Sequence, residues 1–133
     1  MSGGERDRQT TWSIGELCRE FGVTARALRF YEQKGLLQPK RRGWTRVYDA
    51  RDRQRLQFIL RGKRAGFTLA EIGEMLELHR LREGETDRME QALTRLHQQL
   101  DVLRKRRREI DETIADLERT IDIIEGMLKE RRQ

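Results

Sequence analysis

The sequence predicts a mainly α-helical fold: a winged helix-turn-helix with a small β-hairpin wing, followed by one long coiled-coil helix. Three observations predict it. Two short amphipathic stretches within 13–33 flank the turn Phe21-Gly22-Val23-Thr24. A basic segment holding the chain's one proline and a glycine follows at 36–48. From Met89 to Leu128, apolar residues recur at alternating steps of four and three without a slip.

Residues 1–10 are Gly-rich and charged, and are expected to be a flexible tail. Ile14, Leu17, Cys18 and Phe21 then share a helical face. Ser13 suits the N-cap, and Glu16 three residues later completes a capping box. Gly22 ends this helix. Thr24 caps a second one, Ala25 to about Gln33, closed by Gly35. Ala27, Leu28 and Phe30 are expected to turn toward the first helix, which leaves Arg26 and Arg29, three apart, on the exposed face. Next come Pro39, Lys40-Arg41-Arg42-Gly43 and Trp44-Thr45-Arg46-Val47-Tyr48, two extended segments around a basic turn. A hairpin placed directly after a helix-turn-helix is a wing, and a basic tip suits phosphate. Trp44 fits either hairpin packing or a contact.

Asp49 and Asp52 open a helix that runs through Leu56, Ile59 and Leu60 to about Ala65. Gly66-Phe67 breaks it, Thr68 and Glu71 form another capping box, and the next helix carries Leu69, Ile72, Met75, Leu76 and Leu78. This pair repeats the first in outline. Arg61, Lys63 and Arg64 cluster at its turn, where Arg61 and Lys63 are candidates for a second wing-like contact. The polar break 82–87 separates a DNA-binding unit over 11–82 from a dimerisation helix within 83–133.

In that helix the seam is Met89, Leu93, Leu96, Leu100, Leu103, Arg107, Ile110, Ile114, Leu117, Ile121, Ile124 and Leu128. Eleven of these twelve are apolar, so the stretch reads as a coiled coil over about 87–129, a rod of roughly 60 Å. Its seam needs a partner, and nothing upstream supplies a matching heptad, so a homodimer is expected. Arg107 lies within Arg104-Lys105-Arg106-Arg107-Arg108; a charge there fixes register, or is tolerated because arginine snorkels out.

Charge separates the two parts. Residues 1–82 carry 18 Lys/Arg against 10 Asp/Glu, whereas 83–133 carry 11 against 13. The basic excess therefore lies in the N-terminal part, as a polyanionic partner requires. One cysteine, Cys18, excludes an intrachain disulfide and a multi-cysteine zinc site. Sharing a face with Ile14 and Phe21, it reads as core filler. His79 and His97 have no ligand-spaced companion. There is no Ser/His/Asp arrangement, phosphate-cradling Gly loop or paired carboxylate site, so no enzyme, cofactor or metal is expected. The N-terminus lacks the apolar core of a signal peptide, and no run approaches the ~18 apolar residues of a membrane span. A cytoplasmic protein without membrane partners is the expectation.

Four segments then occur in order: Ser13-Ile14-Gly15-Glu16-Leu17; Val23-Thr24-Ala25-Arg26-Ala27-Leu28-Arg29-Phe30-Tyr31-Glu32-Gln33-Lys34-Gly35-Leu36-Leu37-Gln38-Pro39; Arg46-Val47-Tyr48; and Gly66-Phe67-Thr68-Leu69-Ala70-Glu71-Ile72. Over about 12–79 the chain closely resembles the MerR family of bacterial transcriptional regulators. The resemblance implies a dimerisation helix that pairs antiparallel with its twin; the heptad alone equally allows a parallel pair. It implies double-stranded DNA, a second copy and RNA polymerase as partners, and a dimer that bends and untwists promoter DNA to realign an overlong spacer. It further implies that Tyr31 contacts the DNA backbone and that Arg46 and Tyr48 touch phosphate or the minor groove. Independently of the family, Arg26 and Arg29 suit guanine or phosphate, and Thr24 suits phosphate at a helix N-terminus.

The wing departs from the family's Gly-Tyr-Arg-x-Tyr by one added residue, which reshapes the tip; Lys40 and Arg42 are its candidate DNA contacts. Metal-sensing members carry cysteines after the dimerisation helix, and drug-sensing members a large C-terminal domain; neither is present here, so a short form is expected. Leu60-Arg61-Gly62-Lys63-Arg64-Ala65-Gly66-Phe67 looks like a branch tied to branched-chain amino-acid and fatty-acid breakdown. A DNA-architectural or recombination accessory protein, or a coiled-coil adaptor, is the alternative.

Overall fold

A computed structural model describes residues 9–133, so the tail expected over 1–10 lies outside it except for its last two residues. The chain divides after Leu81 into two units. The first contains β1 (Thr11–Trp12), α1 (Ile14–Phe21), α2 (Ala25–Gln33), β2 (Lys40–Arg42), β3 (Thr45–Asp49), α3 (Ala50–Ala65), α4 (Leu69–Leu76) and a 3-10 turn, Leu78–Arg80. The second is a single helix, α5 (Asp87–Arg132).

Three helices begin with reciprocal caps. The Ser13 hydroxyl oxygen accepts the Glu16 N–H at 3.1 Å, and the Glu16 carboxylate accepts the Ser13 N–H at 3.0 Å. That Ser13 N–H also holds the Glu16 carboxyl below its usual range. Asp49 with Asp52 and Thr68 with Glu71 repeat the motif at α3 and α4. Each satisfies two otherwise orphaned donors, a gain of about 1 kcal/mol per cap. Gly22 (φ 66°) and Gly66 (φ 96°) end α1 and α3 in the left-handed region, where a side chain would be strained.

The wing is a three-stranded antiparallel sheet ordered β1-β3-β2. β2 and β3 form the expected hairpin. The third strand pairs Thr11 with Asp49 and Trp12 with Tyr48; two residues are too few to show the alternation by which strands are recognised. Leu17, Leu28, Leu37, Tyr48, Leu56, Ile59 and Ile72 are fully buried and form the core, with Cys18 half-buried against it. Arg53 fastens its edge: the guanidinium donates to both Glu20 oxygens and lies 5.6 Å from the Trp12 ring centre and 5.5 Å from that of Phe21.

Two expectations are corrected. Phe30 does not face α1; it is 43% exposed, and Tyr31 occupies the inner face instead. At about 100° per residue, Tyr31 falls on the stripe of Leu28 three positions earlier, whereas Phe30 lies on the far side. In addition, α4 stops at Leu76, so Leu78 belongs to the 3-10 turn rather than the helix.

The second unit is 46 residues of uninterrupted helix, about 70 Å long. The seam side chains are half in water, from Leu103 at 37% to Ile110 and Leu117 at 59% exposure. Val102, Ile123 and Met127 are exposed beside them. No helix among the described residues is long and apolar enough to cross a membrane.

Candidate nucleic-acid interface

On α2 the inner stripe is Leu28 and Tyr31, which fixes what remains outside. Arg26, Arg29 and Gln33 are exposed. Neither arginine has an ion-pair partner among the described residues. Thr24 is the N-cap, its hydroxyl oxygen accepting the Ala27 N–H at 3.1 Å, which leaves its own O–H to donate outward. Lys34 closes the far end with its ammonium 5.4 Å from the Phe30 ring centre. Tyr31 packs its ring into the core at 8% exposure.

The hairpin register sorts the wing's cations into two faces. Lys40 pairs with Val47, Arg41 with Arg46, and Arg42 with Thr45. Arg41 and Arg46 are thus directly opposed, and both reach one carboxylate on α2. The Arg46 Nε–H donates to Glu32 Oε2 at 2.8 Å, and Arg41 lies 3.6 Å from Glu32 Oε1. Arg46 is therefore a strut between the wing and α2 before it is a free cation. Lys40 and Arg42 alternate with Arg41 and so point to the opposite face, exposed and without an ion-pair partner among the described residues. Trp44 stands at the tip, 97% exposed, which removes hairpin packing as its role.

Tyr48 is a further correction. It was expected to touch phosphate or the minor groove, but it is 0% exposed, between the sheet and the helices. Strand alternation puts it on the inward face of β3, opposite the outward Asp49. Its hydroxyl has no hydrogen-bond partner among the described residues. Burial, with the Glu32 carboxylate adding to it, pushes its pKa up to about 12.

Arg61, Lys63 and Arg64 are exposed at the end of α3. There Lys63 and Arg64, in the last turn, also complement the negative end of the helix. Between them, Gly62 admits α4: a Cβ at this position would meet Ile72 side-chain carbons at 2.7 and 2.8 Å. Close approach of these two helices thus depends on the missing side chain.

Three residues of the frame were not singled out as functional from sequence. Glu32 carried no signal, since a lone acid on a basic helix reads as solvated. Asp52 showed only as a cap. It is 4% exposed, and its two oxygens accept the Gln38 and Asp49 N–H groups, each at 3.1 Å. Burial raises its pKa while those two N–H groups pull the other way. Arg55 donates through Nε to the Leu36 carbonyl at 2.7 Å and lies 3.5 Å from Glu77. Together Asp52 and Arg55 pin the connector between α2 and the wing. Among the described residues, no group of three His, Cys, Asp or Glu is placed to hold a metal ion.

Comparison with known proteins identifies the family. The model for MerR HTH family regulatory proteins matches residues 12–78, and that described as MerR, DNA binding matches 53–127. The chain belongs to the MerR family. It is a member of a family of DNA-binding transcriptional regulators. It is 42% identical over 72 residues to the nodulation protein NolA of Bradyrhizobium diazoefficiens, a match covering 53% of this chain and 30% of that protein. The chain thus spans about a third of the length of that relative. Among solved structures, a putative MerR family transcriptional regulator from Listeria monocytogenes matches with TM-score 0.61 and 30% identity, over 84% of this chain and 83% of that one. HiNmlR, a MerR family regulator lacking the sensor domain and bound to promoter DNA, matches with TM-score 0.59 and 25% identity, over 84% and 79%.

Proposed function

We propose that this chain is a homodimeric, sequence-specific transcriptional regulator that grips a near-palindromic promoter operator. The observation that carries the proposal is the outward pair Arg26 and Arg29 on the second helix of a helix-turn-helix, with no ion-pair partner among the described residues. Around them, Thr24, Lys40 and Arg42 hold phosphates, and Arg61 and Lys63 add a contact from the end of α3. Arg46 sets the wing angle through Glu32. Such a division fits the general rule that backbone contacts position and groove contacts specify.

The exposed seam of α5 supports a second copy as the other partner. Covering eleven half-exposed aliphatic side chains is worth on the order of 10 kcal/mol per chain before the cost of association. Antiparallel pairing sets the two recognition helices a fixed distance apart, which is why the operator is a near-palindrome. Following the family, the dimer bends and untwists the DNA so that RNA polymerase engages an otherwise misaligned promoter. The link to branched-chain amino-acid or fatty-acid breakdown rests on the 60–67 stretch alone.

Hydroxyl-radical footprinting on the DNA around the protein's own gene tests the proposal. Two protected half-sites about one helical turn apart, with distorted central base pairs, are expected. Salt-labile binding without sequence preference would instead make this an architectural protein or an adaptor. For pairing, Met89→Cys and Ile124→Cys in a Cys18→Ser background separate the orientations. Antiparallel helices crosslink 89 to 124; efficient 89-to-89 crosslinking defeats that model and the inferred half-site spacing.

A further inference from the structure

Trp44 is the most exposed large apolar side chain of the described residues, at 97%. Its position is not that of a loose loop. Arg42 and Thr45 are a register pair, so only Gly43 and Trp44 connect the strands. Gly43 has φ 63°, and among the described residues none other than glycine has positive φ. Glycine first and an ordinary residue second is the pattern of a type II′ turn, whose twist matches the strands it joins. The hairpin behind the turn is fastened through Arg41 and Arg46 to Glu32 on α2. The indole is thus held out into water by a tight turn on an anchored arm, with Lys40 and Arg42 on the outer face behind it.

We propose that Trp44 is a DNA contact, its indole entering the minor groove beside each half-site and packing there against sugars and base edges. This rests on the DNA-binding function proposed above. A flat apolar blade backed by cations fits a slot with anionic walls and an apolar interior. The minor groove of B-DNA is such a slot, and at about 6 Å wide it admits an indole edge-on. Proteins that bend DNA commonly insert apolar side chains from the minor-groove side. The wing lies on the same compact unit as Arg26 and Arg29, so both groups address one duplex. Those helix arginines also favour DNA over a protein surface as the indole's partner.

The test uses the full chain with two probes, poly(dI·dC) and poly(dG·dC). These differ by the guanine 2-amino group, which projects into the minor groove and is absent from inosine; their major-groove edges are alike. Wild type is expected to bind poly(dI·dC) about tenfold more tightly, in line with the usual weight of a single aromatic contact to nucleic acid. Trp44→Ala is expected to lose that preference while keeping its helical circular dichroism and its salt-dependent binding to poly(dG·dC). Trp44→Phe, with Trp12 as the only remaining indole, is expected to lose the fluorescence quenching that DNA produces in wild type and to retain part of the preference. Equal binding of both polymers by wild type and Trp44→Ala, with unquenched indole, overturns the contact and leaves DNA binding standing. Failure of wild type to bind either polymer at low salt overturns both. Because Trp44 makes almost no intramolecular contact, none of these variants threatens the fold.

Discussion

Replacing Tyr48 by phenylalanine removes one oxygen from the centre of the first unit and separates two incompatible roles. The ring is fully enclosed and the hydroxyl meets no partner among the described residues. A buried hydroxyl without a hydrogen bond costs about 1–3 kcal/mol, and phenylalanine keeps the ring packing. The variant is therefore expected to be more stable by about 1 kcal/mol at neutral pH, which raises the melting temperature by roughly 4–8 °C for a unit of this size. The alkaline limb provides a second readout. The Tyr48 pKa is raised from 10.0 to about 12. In that interval the unfolded chain has released the phenolic proton and the folded chain still holds it, so stability falls as pH rises. The loss amounts to roughly 2–3 kcal/mol by pH 12, and Tyr48→Phe abolishes it. Thermal unfolding at one fixed protein concentration and tyrosinate absorbance against pH supply both measurements. Operator affinity should stay within about twofold. Destabilisation by about 1 kcal/mol or more would show that the hydroxyl has a partner. A fall in affinity of roughly tenfold would show that it reaches DNA, and would refute the buried assignment.

Three further outcomes are expected. Arg26→Ala and Arg29→Ala each weaken operator binding by about 1–3 kcal/mol without changing the melting temperature; if both titrate like wild type, α2 is not the recognition helix. Glu32→Gln frees Arg41 and Arg46, so non-specific binding tightens and its salt slope steepens by about one to two units, while the operator-to-random ratio falls as the wing loosens. An unchanged slope and ratio would remove Glu32 from any part in wing placement. Ile114→Glu with Leu117→Glu puts like charges in the α5 seam and yields monomers with a folded first unit and greatly weakened operator affinity, read by sedimentation and titration; an intact dimer would place the contact elsewhere.

Local rules made most of the elements legible in the sequence. Caps at Ser13, Thr24, Asp49 and Thr68, stops at Gly22 and Gly66, and the unbroken heptad act within a turn or two of the chain, so their order along it suffices to locate helices. The outward positions of Arg26 and Arg29 followed from the same periodicity. Family likeness reached the fold as well, because its motifs are these same local signals.

What the chain order does not contain is which neighbour a side chain meets once the elements pack. Phe30 and Tyr31 are adjacent aromatics; only packing around Leu28 decides that Tyr31 turns inward. Tyr48 and Arg46 share a strand, yet closure of β1 onto β3 buries one, and the approach of α2 brings Glu32 to the other. Asp52 looks like an ordinary cap until the connector at Gln38 folds over it. Conversely, Trp44 has the composition of a core residue and ends in water, because a two-residue turn leaves nothing for it to pack against. Burial and ion pairing depend on distances between segments far apart in sequence, and those are set only when the helices and the sheet close on one core.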